Sequence, residues 1–269
     1  MSGAINLPYY GIFAKGVHLR IVVYRLGVLA ALVAFWWYLS TVVERQLVPS
    51  PVATFHAAER LIADGRLFSA LLDTLQIYVS GYGLAILIGI PLGLLMGTVR
   101  TLGKILDVFV YALSATPRVA FIPLIIVFLG LGASAKSFIV FLGAVMPILI
   151  NAYAGALNAD DELVEMARSV GARKSRIFRE IVLPGALPFA ITGLRIGATI
   201  GLINTIVAEL YTAVRGLGGL LAIYGNTFRM AEYFVIVFTL ALVGVLVTTL
   251  LRLLELRLER WRGTGNQAS

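Results

Sequence analysis

The stretch NADDELVEMARSVGARKSRIFREIVLPGALP, residues 158–188, is the main polar interruption in a largely apolar chain. Four of its first eight residues are acidic, and five basic residues follow between Arg168 and Arg179. The segments on either side, 137–157 and 189–211, are long and apolar enough to cross a lipid bilayer. The stretch is therefore predicted to lie outside a membrane, between two membrane-spanning segments.

Within this stretch the pattern predicts two short helices joined by a turn. Val164, Ala167 and Val170 fall on one side of the first helix. Gly171 predicts a left-handed cap that ends this helix. The second helix is basic, and Pro184 predicts its end because the residue before a proline disfavours helical backbone.

The composition is that of a membrane protein. Hydrophobic residues make up 59% of the chain, charged residues only 13%, and the mean hydropathy is +0.93. A soluble domain carries roughly a quarter charged residues. The chain has no cysteine, which excludes disulfides and thiolate metal sites. His18 and His56 are isolated from other ligand residues, so no metal site is expected.

Six apolar stretches are long enough to cross a bilayer, because a hydrocarbon core of about 30 Å needs about 20 helical residues. Their approximate bounds are 26–43, 74–97, 105–129, 137–157, 189–211 and 233–252. An all-α membrane protein with six transmembrane helices is therefore predicted. A single transmembrane domain is expected over 26–262, after an N-terminal segment, 1–25, and before a flexible tail, 263–269.

The segment between the first two spans is of mixed polarity. An amphipathic helix is predicted around 53–63, ended by Asp64 and Gly65.

The basic residues predict the orientation of the chain. Of the 22 lysines and arginines, Arg118 and Arg195 fall within predicted spans. Six lie on the side away from the N-terminus: Arg45, Arg60, Arg66, Lys136, Arg215 and Arg229. The other fourteen lie on the N-terminal side, which predicts that both termini and the 158–188 loop are cytoplasmic. This distribution between apolar runs indicates membrane orientation rather than nucleic-acid binding, despite the net charge of +8.

The third span carries Pro117, Arg118 and Pro123 near its middle. Prolines in a spanning helix are tolerated where neighbours or water satisfy the freed backbone groups. An arginine at this depth costs at least ~2.5–3.5 kcal/mol unless it is paired or faces water. Arg118 is therefore expected to face the protein interior. It either attracts an anion on a pathway, pairs with a carboxylate, or extends its side chain to the membrane surface.

Two other spans hold further candidates. Gly89, Gly93 and Gly97 form two overlapping GxxxG patterns in the second span, which suit close packing of another helix and also a pliable helix beside a pathway. Asn204 and Glu209 lie in the fifth span, and an intramembrane carboxylate is a functional candidate by default. Glu209 is predicted either to contact a substrate or to pair with an arginine.

The spacing within residues 158–188 closely resembles the cytoplasmic EAA loop of ATP-binding-cassette (ABC) importer permeases. In that loop E-A-A is followed after three residues by G, and after nine more by I, one residue, and L-P. The matching positions are Glu165, Ala167, Gly171, Ile181, Leu183 and Pro184, and Met166 replaces the usual second-position alanine.

The resemblance extends over nearly the whole chain, to the nitrate/sulfonate/taurine branch of these permeases. The similar stretches are Leu47–Pro51, Pro117–Leu124, Gly130–Gly132, and Glu209 with Gly216–Gly218.

The resemblance implies the MetI-like fold of a type I importer permease in a bacterial inner membrane. It implies two copies of the chain, two cytoplasmic ATPase subunits docked on the EAA loops, and a periplasmic or lipid-anchored binding protein that delivers the solute. The solute is expected to be a small anion, with Arg118, Asn204 and Glu209 on its pathway. ATP and magnesium are expected in the partner ATPase, and no cofactor in this chain.

The motifs that are missing agree with a non-catalytic subunit. A phosphate-binding loop needs G-x4-G-K-[ST], and neither Gly97–Lys104 nor Ala135–Ser137 has it. The alternative is a secondary carrier driven by an ion gradient through Arg118 and Glu209. The sequence shows no internal inverted repeat of the kind such carriers often have.

Overall fold

A computed structural model describes residues 10–44 and 47–259, and these residues form helices and connecting turns without a strand. The helices are α1 Tyr10–Val42, α2 Pro51–Ala63, α3 Arg66–Thr98, α4 Arg100–Ala115, α5 Ile122–Leu129, α6 Ala133–Leu157, α7 Asp161–Ser169, α8 Lys174–Ile177, α9 Leu183–Thr212, α10 Leu217–Asn226 and α11 Met230–Glu259. A 3₁₀ turn, Arg118–Phe121, precedes α5, and a π-helical segment, Phe178–Val182, joins α8 to α9. The predicted tail and residues 1–9 of the predicted N-terminal segment lie outside the described residues.

The six-span architecture is confirmed, with one span broken. Within the described residues, five helices have the length and hydropathy to cross a membrane: Ile21–Val42, Arg66–Thr98, Ala133–Leu157, Lys174–Thr212 and Met230–Leu253. The stretch 105–129, predicted as one span, is instead two helical pieces that meet at 81°. Thr116, before Pro117, has extended backbone, as the residue before a proline prefers. Counted as one span, the broken pair brings the number to six.

Helix α6 lies at the centre of the bundle, between α3 and α9. Helix α3 packs along one of its faces. A Cβ atom added to Gly93 would lie 2.8 Å from the Cβ of Ala152, and one added to Gly97 would lie 2.9 Å from the Tyr153 carbonyl oxygen. Both distances are too short for a real contact, so only glycine permits this approach. The GxxxG patterns of α3 therefore form a packing seam.

Helix α9 packs on α6 by the same device. A Cβ atom on Gly197 would lie 2.7 Å from a side-chain carbon of Ile148, and one on Gly193 would lie 2.8 Å from the Cβ of Asn151. Ile148 is fully buried between the two neighbouring helices. Helices α9 and α6 are therefore closely packed.

The short helices α2 and α10 cover the end of the bundle opposite the 158–188 loop. The amphipathic helix predicted around 53–63 is confirmed as α2, which begins at the Ser50 cap and is followed by Gly65 at φ 68°. Its Ala57 and Leu61 pack with Leu217 of α10 in one buried cluster.

Candidate coupling loop and translocation pathway

The first helix of the 158–188 loop, α7, is closed at both ends by its own sequence. The Asp160 carboxylate accepts hydrogen bonds from the N–H groups of Glu162 and Leu163 at 3.0 and 3.1 Å, as an N-cap does. At the other end Gly171 has φ 78°. Its N–H donates to the Arg168 carbonyl, and the next N–H donates to the Ala167 carbonyl. This pair of bonds is a Schellman motif, and the predicted cap at Gly171 is confirmed.

Helix α7 presents an exposed face that contains both charge and apolar surface. Glu165 is exposed, and Met166 and Val170 beside it are 61% and 78% exposed. Val164 and Ala167 are half-buried. The periodicity predicts Val170 on the same side as Val164 and Ala167, and this is wrong. Val170 is the C-cap residue, past the last helical turn, and its side chain is exposed.

The second part of the loop does not end at Pro184, and that prediction is wrong. Residues 174–212 form one unbroken helical run. The Leu183 N–H donates to the Phe178 carbonyl five residues earlier, which shifts the hydrogen-bond register by one residue. Pro184 then falls in the first turn of α9, where its missing N–H is not needed. Ile181 and Pro184 are half-buried, and Leu183 is 40% exposed.

Arg118 supplies hydrogen bonds that two breaks in neighbouring helices require. One guanidinium nitrogen donates to the Gly143 carbonyl at 2.8 Å, and the other donates to the Ser114 carbonyl at 3.2 Å. In α6 the Gly143 carbonyl would normally accept from residue 147, but that residue is Pro147 and has no N–H. The Ser114 carbonyl is left open because α4 ends at Ala115. Arg118 has no ion pair with a carboxylate among the described residues.

Asn204 lies against the same residue of α6. Its amide donates to the Ile200 carbonyl at 2.8 Å, and a Cβ atom on Gly143 would lie 2.7 Å from the Asn204 Cγ. Gly143 thus contacts both Arg118 and Asn204. The structure brings these two candidate residues together, both of them half-buried.

Glu209 belongs to a different cluster, near the C-terminal end of α9. Its side chain is fully buried. The Thr74 hydroxyl lies 2.9 Å from both of its carboxyl oxygens, and the Gly218 N–H donates to one of them at 2.8 Å. The Thr74 hydroxyl also accepts from the Leu217 N–H at 2.8 Å. Glu209 and Thr74 together cap the first N–H groups of α10, where a negative group is favoured.

The turn before α10 is shaped around this carboxyl group. Gly216 has φ 89°, and a Cβ atom there would lie 2.6 Å from a Glu209 oxygen. A Cβ atom on Gly218 would lie 2.7 Å from the Glu209 Cβ. The predicted arginine partner is not found among the described residues. The nearby cation is Lys136, which is 3% exposed.

The partners Thr74, Lys136 and Pro147 are missing from the predicted site residues. The role of Pro147 could have been predicted from the sequence, because a proline within a spanning helix leaves the carbonyl four residues earlier without its helical donor. Thr74 and Lys136 had no such signal, since only the fold brings them near Glu209. No group of three or more metal-ligating side chains occurs in the described part of the chain.

Comparison with known proteins places this geometry among transport permeases. Residues 89–262 match the family model described as "Binding-protein-dependent transport system inner membrane component". The taurine transport system permease protein TauC of Escherichia coli is 30% identical over 251 residues, covering 91% of each chain. The putative aliphatic sulfonates transport permease protein SsuC of the same organism is 35% identical over 233 residues, covering 86% of this chain and 88% of that one.

Solved structures support the fold. The MetNI methionine ABC transporter, in an inward-facing conformation, has a chain that superposes with a TM-score of 0.64 at 21% identity. The match covers 72% of this chain and 96% of that chain.

Proposed function

Because the chain belongs to the family of binding-protein-dependent transport system inner membrane components, we propose that it forms the translocation pathway of an ATP-driven importer for a small sulfonate-type anion. The chain is an ABC transporter permease and a non-catalytic subunit of the inner membrane. The proposed complex contains two copies of this chain, two cytoplasmic ATPase subunits and a solute-binding protein. ATP and magnesium are bound by the ATPase.

The exposed face of α7 is the observation that carries this proposal. A short helix that presents Met166, Val170 and Glu165 outside the bundle offers apolar contact area and a negative charge to a partner protein. Exposed apolar side chains beside a charge are consistent with a protein interaction site. The proposed partner is the ATPase, with α7 seated in a groove and Glu165 facing a basic residue.

The proposed coupling follows from the helix that continues out of the loop. Since residues 174–212 are one helical run, a displacement of the loop moves α9 as a rigid element. At Gly193 and Gly197 the backbone of α9 lies directly against Asn151 and Ile148 of α6. ATP-driven closure of the ATPase pair would therefore shift α6, and with it the contact of Gly143 with Arg118 and Asn204. Access to the pathway changes at that point.

The proposed solute class is supported by the names of two relatives and by the side chains of Arg118 and Asn204. TauC is named for taurine and SsuC for aliphatic sulfonates. A guanidinium has five N–H donors, and two hydrogen bonds to described backbone carbonyls leave others for an oxyanion. The Asn204 amide lies against the same glycine. We propose that these two side chains line the pathway, whereas Glu209 holds α10 in place.

The test alters the turn at Gly171 in the 158–188 loop, which we call the coupling loop, without changing the exposed face of α7. In Gly171→Val a β-branched residue must adopt φ 78°, which is strongly disfavoured, whereas asparagine tolerates this conformation. We expect Gly171→Val to lose most ATPase association and uptake, and Gly171→Asn to retain both. Association is measured by co-purification, and uptake by radiolabelled taurine in proteoliposomes with the ATPase and binding protein.

A second variant tests the charge. Glu165→Lys is expected to weaken co-purification of the ATPase, whereas Glu162→Lys, on the same helix, should retain it. Uptake by proteoliposomes that contain this chain alone, without ATP, would contradict the proposal and favour an ion-driven carrier.

A further inference from the structure

A cavity of about 310 Å³ separates the coupling loop from the ends of the central helices. It is bounded by the end of α3 at Thr98, the start of α4 at Arg100, the end of α6, and α7 and α8. Three basic side chains line it, Arg100, Arg168 and Lys174, together with one acidic side chain, Asp161. The cavity therefore holds more positive than negative charge.

Only one of these cations is paired within the described chain. An Arg100 guanidinium nitrogen lies 3.3 Å from an Asp161 carboxylate oxygen, and both side chains are 76% exposed. Exposed pairs of this kind contribute about 0–1 kcal/mol, so a competing anion can replace Asp161. Neither Arg168 nor Lys174 forms an ion pair with a residue that the structure describes.

The cavity lies at one end of the helix bundle, beside the 158–188 loop. Helices α3 and α6, both long enough to span a membrane, end at its rim. Its other wall contains Ile177 and Val182, each 7% exposed. A basic cavity between the ends of spanning helices, with an apolar wall beside it, suits the headgroup and first carbons of an anionic lipid.

We infer that this cavity binds a tetrahedral oxyanion of the phosphate class, held by Arg100, Arg168 and Lys174. An anionic phospholipid headgroup and free phosphate share this chemistry. The anion would join α4 to α7 and so fix the coupling loop against the bundle, because Arg100 and Arg168 lie on these different helices. This inference deepens the proposed function by adding a regulator beside the coupling loop, and it rests on the proposed role of that loop.

The experiment measures lipid binding to the purified full-length permease without any ATPase. Native mass spectrometry is used with phosphatidylglycerol, and with phosphatidylcholine as the neutral comparison. The variant Arg168→Gln/Lys174→Gln removes two cavity charges. The control Lys104→Gln/Arg173→Gln removes two exposed charges that do not line the cavity. We expect phosphatidylglycerol affinity to fall about fivefold for each cavity charge removed, with little change in the control.

Added inorganic phosphate distinguishes the two sources. Phosphatidylglycerol retention that inorganic phosphate does not displace supports a lipid site, and displacement supports a free-anion site of the same chemistry. Equal losses in both double variants, or equal binding of the two lipids, would overturn the inference. If the cavity variant does not fold, Asp161→Asn serves instead, because removal of the competing carboxylate should tighten binding. ATPase co-purification, measured separately, reports on the proposed function itself.

Discussion

At the scale of single residues, the buried Thr74 hydroxyl hydrogen-bonds both to the Glu209 carboxyl group and to the Leu217 N–H. Thr74 is fully buried. In Thr74→Val the shape is kept, but the Leu217 N–H loses its acceptor and Glu209 loses a donor. We expect the free energy of unfolding in mixed micelles to fall by about 1–3 kcal/mol, the penalty for an unsatisfied buried polar group.

The matched control is Thr205→Val. Thr205 is equally buried, but its hydroxyl bonds only to the Gly201 carbonyl of its own helix. That carbonyl keeps its helical partner, so the loss of stability should be clearly smaller. Equal losses in the two variants would show that Thr74 is an ordinary packing residue.

Arg118 gives a second prediction, which concerns the coupling between two positions. Arg118→Met leaves the Gly143 carbonyl without a donor, because Pro147 cannot supply one. Pro147→Ala restores the missing N–H. Arg118→Met should therefore cost about 1–3 kcal/mol in the wild-type background, and measurably less in the Pro147→Ala background. The double-mutant cycle isolates this difference, and a zero coupling energy would remove the assigned structural role.

Arg118 and Glu209 show what the sequence can and cannot predict for a single residue. An interior position for Arg118 follows from the cost of burying a charge in lipid, and the structure agrees. The identity of its partner does not follow, since Gly143 is 25 residues away and only the fold brings it near. Glu209 is similar, because its hydrogen-bond partner Thr74 is 135 residues away.

At the scale of helices, the glycine seam between α3 and α6 gives the third prediction. Gly93→Ala would place a Cβ atom 2.8 Å from that of Ala152, so the helices must separate. Gly83→Ala is the same change in the same helix, and a Cβ atom there would meet nothing within 4 Å. We expect Gly93→Ala to lower the thermal unfolding midpoint. Gly83→Ala should leave the midpoint unchanged or raise it, because alanine is favoured over glycine in a helix by up to about 1 kcal/mol.

A lower midpoint for Gly83→Ala as well would mean that the glycines act through helix flexibility. That outcome would favour the pliable-helix interpretation of the pattern.

Local signals predict helices well, and their failures have a physical cause. The cap at Gly171 and the C-terminal end of α2 follow from residues within one turn, and the structure confirms them. Pro184 fails as a helix end because the π-helical segment before it shifts the hydrogen bonds by one residue. The two prolines of the third span indicate freed backbone groups, but the 81° bend at Pro117 does not follow from them, since neither proline specifies the direction in which the chain resumes.

At the scale of the whole molecule, the described chain has a closed centre and an open periphery. In the most apolar stretch of α6, 56% of the residues are buried, whereas none of the residues in the corresponding stretch of α1 is buried. Helix α1 is held near one end, where Trp36 packs on Phe238 at 5.3 Å between ring centroids and donates to the Pro49 carbonyl. Apolar surface of this extent must face lipid or another chain, which is consistent with a subunit of a larger membrane complex.

The orientation of the whole chain gives the last prediction, and the absence of cysteine makes it directly testable. Fourteen basic residues on the side of the coupling loop, against six on the other, predict that this loop is cytoplasmic. Single cysteines are placed at two exposed positions, Ser169→Cys in α7 and Asn226→Cys at the end of α10. In intact spheroplasts a membrane-impermeant maleimide should label only the cysteine at position 226, and in inverted vesicles only the one at position 169. The reverse pattern would place the coupling loop outside the cell, where no ATPase could dock, and the proposed mechanism would fail with it.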